Sequence, residues 1–159
     1  MTAPKSNLWH WLWRRVQPFY LTSRAISSPT TVGVTALVEC EGKIVLVRHS
    51  YLPGWHLPGG GVDRGEPPAT AVLREMREEI GLTKSAPPQL VGVLTRRYGL
   101  TTNHVLLYRL AGAEFTFKPN LEIRGCQLAD PAAPPDGTSA ATRRRLAEYL
   151  TQMSPAAHW

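Results

Sequence analysis

The stretch Gly59 to Leu82, GGGVDRGEPPATAVLREMREEIGL, decides how this chain folds. Its glycine-rich start reads as a loop. Pro67 and Pro68 suit the first turn of a helix, where their missing N–H groups would be unpaired in any case. Gly81 suits the left-handed position that follows a last turn. The helix these signals predict, ending at Ile80, turns about 100° per residue, so Glu75, Glu78 and Glu79 share one arc of roughly 100°. Ala69, Val72, Leu73, Met76 and Ile80 fill the adjoining arc. One face is made for a core and the next is crowded with carboxylates.

Like charges at this spacing cost a helix about 0.2–0.5 kcal/mol per pair and gain no offset near its C-terminus. A divalent cation would supply one. Oxygen donors with no cysteine nearby select a hard ion, Mg2+ or Mn2+ before Zn2+. The alternative is a solvated acidic face on which Arg74 and Arg77 pair with Glu78 and its neighbours.

The order of residues decides between these readings. Gly60, Glu66, Arg74-Glu75, Glu78-Glu79 and Gly81-Leu82 match every fixed position of the pattern G-x5-E-x7-R-E-U-x-E-E-x-G-U, with Met76 and Leu82 as bulky apolar residues. This is the Nudix box, and the chain resembles the Nudix hydrolase family. The preceding G-W-x-L-P-G-G text is similar too. The resemblance is close from about Val32 to Leu82, looser to Gln127, and absent before Pro29.

The resemblance implies an α/β fold, the Nudix α/β/α sandwich with a mixed β-sheet. It implies Mg2+-dependent hydrolysis, with Mn2+ as the second ion, of a pyrophosphate bond in a nucleoside di- or triphosphate derivative. Water would attack phosphorus and release a nucleoside monophosphate. By the same resemblance Glu75, Glu78 and Glu79 are metal ligands, joined by a backbone carbonyl of Gly59 or Gly60. The general base is Glu75 or, on a later loop, Glu122, and the catalytic set is Glu75, Glu79 and Glu122. Glu122 lies in LEIRGCQL, where relatives carry E-I-x-x-x-x-F-like text; here Cys126 stands where an aromatic is common. Glu66 and Arg74 read as architectural, with Arg74 holding a carboxylate in its ligating rotamer.

Composition sets the frame around the box. A chain of 159 residues suits one domain with a real core. An apolar fraction of 43% and a charged fraction of 19% exclude a disordered chain. No apolar run approaches the length needed to cross a bilayer. Cys40 and Cys126 have no metal-ligand spacing and read as reduced thiols of a cytoplasmic protein. The formal charge of +6 suits either polyanionic ligands or plain solubility.

Residues 1–29 read as an N-terminal helix and connector, and residues 30–159 as the Nudix domain. In Asn7 to Val16 the residues Trp9, Leu12, Trp13 and Val16 share a helical face, which reads as docking on this domain or on a second copy in a homodimer rather than on a membrane. Strands are predicted at Thr30–Glu39, Lys43–His49, Trp55–Leu57, Leu90–Tyr98, His104–Leu110, Ala113–Phe117 and Leu121–Leu128. A closing helix over TSAATRRRLAEYLTQM presents Leu146, Tyr149, Leu150 and Met153 on one face.

Arg48, Arg64, Arg96 and Arg97 flank the box as phosphate contacts. Tyr98, Tyr51 or Trp55 would stack on a base; Tyr98, sixteen residues past the box, stands about where diadenosine polyphosphate hydrolases of the family carry a tyrosine. His49, His56 and His104 lack metal spacing and read as structural or surface residues. Two other functions stay open. One is an RNA 5′-end pyrophosphohydrolase, which the positive charge favours. The other is a non-catalytic nucleotide-binding regulator, which the complete set of box glutamates disfavours.

Overall fold

The computed structural model describes residues 30–99 and 101–159, with Tyr98 described by its backbone alone. The helix expected at Asn7–Val16 and its connector lie outside the described residues.

Eight strands and two helices follow one another in this part of the chain: β1 (Thr30–Cys40), β2 (Lys43–His49), β3 (Gly59–Gly61), α1 (Pro68–Ile80), β4 (Leu82–Lys84), β5 (Gln89–Tyr98), β6 (Thr101–Leu110), β7 (Glu114–Phe115), β8 (Ile123–Ala129) and α2 (Ala140–Thr151). The main sheet runs β5-β6-β1-β2-β8, with β3 also paired to β1. The β1–β6 pair is parallel and the β1–β2 and β5–β6 pairs antiparallel, so the sheet is mixed.

Alternation along the strands builds two cores. Val34, Ala36 and Val38 of β1 and Val45 and Val47 of β2 pack with Val72, Met76 and Ile80 of α1. The residues between them, Leu37, Ile44 and Leu46, pack with Leu146 of α2. Successive strand side chains point to opposite faces, so α1 and α2 cover opposite faces of the sheet, the expected α/β/α sandwich.

One edge of β1 is shared. Its start, Gly33 to Thr35, pairs with the three glycines of β3, and its end, Glu39 and Cys40, pairs with β2. Between these partners the chain from Ser50 to Pro58 loops out. The strand expected at Trp55–Leu57 is only a pair of isolated bridges, Val47 to His56 and Trp55 to Thr138. The strand proper lies in the glycines, where sequence reading places a loop. Only glycine fits at position 59, because a Cβ on Gly59 would stand 2.2 Å from the carbonyl oxygen of Val34.

Other boundaries shift for local reasons. β6 starts at Thr101, so the strand takes in Thr101, Thr102 and Asn103 of the expected GLTTN turn. The strand expected at Ala113–Phe117 shortens to β7, which pairs with β4 in a separate two-stranded ladder. β8 starts at Ile123, leaving Glu122 ahead of the strand. In α2, capped by Ser139, the inward residues are Thr142, Arg145 and Leu146, whereas Leu150 and Met153 are 48% and 65% exposed. Of the apolar stripe expected there, Leu146 and Tyr149 pack against the core, and Thr142 and Arg145 share the inward arc with them. Ala69, assigned to the core arc of α1, is exposed, and Ala71 is buried in its place.

Candidate active site

Helix α1 forms as its sequence predicts. Pro67 caps it in an extended conformation, proline fills its first turn, and Gly81 ends it at φ 70 with its N–H donating to the Arg77 carbonyl. Docking of Val72, Met76 and Ile80 turns the neighbouring arc toward β3. Glu79 is 3% exposed, Glu75 is partly buried, and Glu78 is exposed.

Two glycines of β3 receive two of these carboxylates. The Gly59 N–H donates to Glu79 Oε2 over 2.8 Å. At Gly60 a Cβ would lie 2.4 Å from the Glu75 carboxylate, so the strand is a cradle that any side chain would fill. Arg74 holds the group from the other side. Its Nε and Nη2 donate to the two oxygens of Glu66 at 3.0 and 2.9 Å, Nη1 donates to Glu75 at 2.8 Å, and Nη2 also donates to the Gly61 carbonyl at 3.0 Å. Such a fork fixes direction as well as charge. Arg74 pulls the Glu66 carboxyl below its usual range.

The electrostatics are unbalanced deeper in. Burial, helped by Glu75, Glu122 and Glu78, pushes the Glu79 carboxyl up to about 8 against the opposing pull of the Gly59 N–H. Burial also raises Glu75, although Arg74 opposes it. Burial of this kind favours the protonated form of Glu79 until an opposite charge comes near.

Two further groups join from outside the box. His49, on the same face of β2 as Val45 and Val47, is buried, and its Nδ1 lies 4.0 Å from Glu79 Oε1 with no hydrogen-bond partner among the described residues. Glu122 accepts from the Tyr51 hydroxyl at 2.9 Å. Donor atoms of His49, Glu79 and Glu122 all lie within 4.8 Å of one another. His49 is therefore buried rather than on the surface, beside Glu79 and Glu122. The signal was available in its parity with Val45 and Val47 on a strand that meets α1. Tyr51 meets Glu122, and that hydrogen bond together with burial raises its hydroxyl to about 12.

The arginines scatter. Arg48 sits on the other face of β2 with its guanidinium 5.4 Å from the centre of the Trp55 ring, away from the carboxylates. Arg64 is exposed on the turn between β3 and α1, and Arg97 is exposed on β5. Arg96 lines a cavity of about 340 Å³ that also touches Gly59 to Gly61 and His49. The backbone of Tyr98 pairs with Thr101 at the end of β5. Cys126 is partly buried in the α1 core, and burial near Glu79 raises its thiol to about 11.

Comparison with known proteins follows the same lines. A sequence model of the NUDIX domain matches residues 28–150. An RNA pyrophosphohydrolase of Gluconobacter oxydans (strain 621H) is 52% identical over 52 residues, covering 31% of this chain and 30% of its own. One from Rhodospirillum rubrum is 39% identical over 85 residues, covering 53% of this chain and 49% of its own. The chain thus spans less than half the length of these curated relatives. Among solved structures, a MutT NUDIX hydrolase from Burkholderia pseudomallei superposes with a TM-score of 0.65 at 26% identity, covering 74% of this chain and 96% of its own.

Proposed function

The chain belongs to the NUDIX family, and from that premise we propose that it hydrolyses the pyrophosphate bond of a nucleoside di- or triphosphate derivative. The observation that carries this reading is the meeting of Glu75 and Glu79 with the glycine strand, where a backbone N–H and a side-chain-free wall receive both carboxylates.

The donor set fits a hard divalent cation, Mg2+ or Mn2+. Glu75, Glu78 and Glu79, with a carbonyl of Gly59 or Gly60, would hold it, and its charge would offset the cost of ionising Glu79 in its buried position. When bound, such an ion stabilises negative charge on the phosphoryl oxygens and lowers the pKa of a coordinated water. The rest of the chemistry belongs to the chain. Glu75 or Glu122 accepts the proton of the attacking water on a carboxylate oxygen as that water bonds to phosphorus and the anhydride P–O bond breaks. Arg74 and Glu66 hold the Glu75 rotamer. Tyr51 orients Glu122. The closed glycine strand excludes water from the Glu79 side.

A second reading has its own support. The named relatives are RNA pyrophosphohydrolases, and a charge of +6 suits an RNA 5′ end. A non-catalytic role is disfavoured by the complete carboxylate set. Residues 30–159 would form the catalytic domain, and the free thiols Cys40 and Cys126 suit the cytoplasm. Among the described residues no helix is long and apolar enough to cross a membrane.

Formation of a nucleoside monophosphate, or of a 5′-monophosphate end on RNA, from nucleoside triphosphates, ADP-ribose, nucleotide sugars, dinucleoside polyphosphates and 5′-triphosphate RNA, each with Mg2+ and with Mn2+, tests the proposal. Turnover that depends on the ion and follows the nucleotides supports the first reading; a preference for RNA selects the second. No ion-dependent turnover on any of them removes both.

A further inference from the structure

Helix α2 contains a feature that packing does not explain. Arg145 is 1% exposed, and its Nη2 donates to Glu148 Oε1 at 2.8 Å. Buried ion pairs are poor stabilisers compared with apolar residues of the same size. This pair has another use, because it holds the chain that follows the helix. Arg145 Nη1 donates to the His158 carbonyl at 3.4 Å, and Glu148 Oε1 accepts the Ala156 N–H at 3.1 Å.

That segment turns back at Gln152, which has φ 52, and runs along β5. The Thr95 N–H donates to the Ala157 carbonyl at 2.8 Å, and the Trp159 N–H donates to the Thr95 carbonyl at 3.2 Å. Pro155 lies against Gly92, where a Cβ would come within 3.1 Å of its ring. Five anchoring contacts on residues 155–159 fix the path of the segment.

They deliver the indole of Trp159. It packs partly against the core of Leu37, Leu94, Leu107 and Leu146, with the Arg145 guanidinium 6.0 Å from its ring centre. It also lines the cavity of about 340 Å³ that reaches Gly59 to Gly61, together with Arg96 and Asn103. The side-chain oxygen of Asn103 is buried there without a hydrogen-bond donor among the described residues. Unsatisfied buried acceptors are costly and rare. The cavity therefore combines an aromatic surface, an unused acceptor at its edge and a route to the glycine strand. Small-molecule pockets start at roughly 300 Å³, and a base needs a planar surface to stack on with polar groups at its rim.

We propose that Trp159 and Asn103 form the nucleobase subsite of the candidate active site. The base stacks on the indole, its exocyclic amino group donates to Asn103 Oδ1, and the phosphate chain then crosses Gly59 to Gly61 toward the carboxylates of α1. This rests on the nucleotide reading above. It names the substrate class as one with an amino-bearing base, and makes the segment 153–159 a determinant of specificity.

The test compares ATP with base-free ribose 5-triphosphate, and measures binding of a methylene-bridged ATP analogue that cannot turn over. Loss of stacking and of one hydrogen bond is worth about tenfold or more. Trp159→Ala should therefore lower the ratio of kcat/KM for ATP over the base-free compound by about tenfold, mostly through KM, and weaken analogue binding equally. Trp159→Phe should restore most of the ratio. Asn103→Ala, which leaves the indole and its core contacts in place, should lower it by about fivefold with an unchanged melting temperature. An unchanged ratio in both alanine variants overturns the subsite, as does a Trp159→Phe ratio as low as that of Trp159→Ala. If the wild-type protein turns over no nucleotide, the analogue titration still decides: binding weakened by both alanine variants upholds the subsite, and equal binding refutes it.

Discussion

The N–H of Gly59 donates to Glu79 Oε2 at 2.8 Å, and the other oxygen of that carboxylate points toward His49 Nδ1 at 4.0 Å. One backbone amide thus fixes the rotamer of the most buried acid in the box. Replacing Glu79 with Gln keeps an oxygen for Gly59 and removes the charge. Turnover should fall by about 100-fold or more, the usual scale for losing a metal ligand or its direct support. Near-normal turnover by Glu79→Gln would sink the assignment of Glu79 as a metal ligand.

The same carboxyl makes stability depend on pH in a defined direction. Burial raises it from its ordinary 4.5 to about 8. Between those values the folded chain holds a proton that the unfolded chain has released, so metal-free stability falls as pH rises across that window. The loss should be about 3–5 kcal/mol in size, or roughly 5–15 °C in melting temperature. Thermal unfolding in a chelator at pH 5.5 and pH 8 measures it. Glu79→Gln should flatten the dependence, and Mn2+ should raise the melting temperature more at pH 8 than at pH 5.5. A melting temperature that is flat for the wild-type protein contradicts the buried-acid account.

Gly60 and Gly61 offer a matched pair. A Cβ at Gly60 meets the Glu75 carboxylate at 2.4 Å, whereas one at Gly61 meets nothing within 4 Å. Neither glycine has a positive φ, so alanine strains neither backbone. Gly60→Ala should cost roughly tenfold or more in kcat, the scale of a catalytic group displaced by about 1 Å. Gly61→Ala should stay close to wild type, and equal effects at the two positions would remove the cradle from the account.

Arg74 makes four hydrogen bonds to Glu66, Glu75 and the Gly61 carbonyl from one guanidinium. Lysine keeps its charge and loses the fork, so Arg74→Lys should lose about 10- to 100-fold in activity, close to Arg74→Ala. Full activity in the lysine variant would mean that charge alone holds Glu75.

Much of this was legible before any coordinates. The limits of α1 were written in Pro68 and Gly81, and the carboxylate arc in the spacing of Glu75, Glu78 and Glu79. The strands β1 and β2 were legible as segments, though not which of their residues face which helix. What was hidden depended on contacts distant in sequence. A run of three glycines reads as a loop because nothing local shows that Val34 and Thr35 will press against it. The burial of Arg145 was not legible because its partners include a carbonyl thirteen residues later. His49 falls between these cases: its strand parity was visible, but its nearness to Glu79 required knowing where α1 docks. The arginines proposed for phosphate separated for the same reason, since Arg48 and His49 are neighbours in sequence and face opposite layers.

The two cores on either side of β1 and β2 divide the molecule by what a mutation can change. Box carboxylates stand on the α1 layer, while Trp159 stands on the α2 layer. A substitution in the α2 layer can therefore alter the proposed base subsite while leaving the carboxylate arc of α1 in place, so binding and chemistry can be changed separately in this molecule.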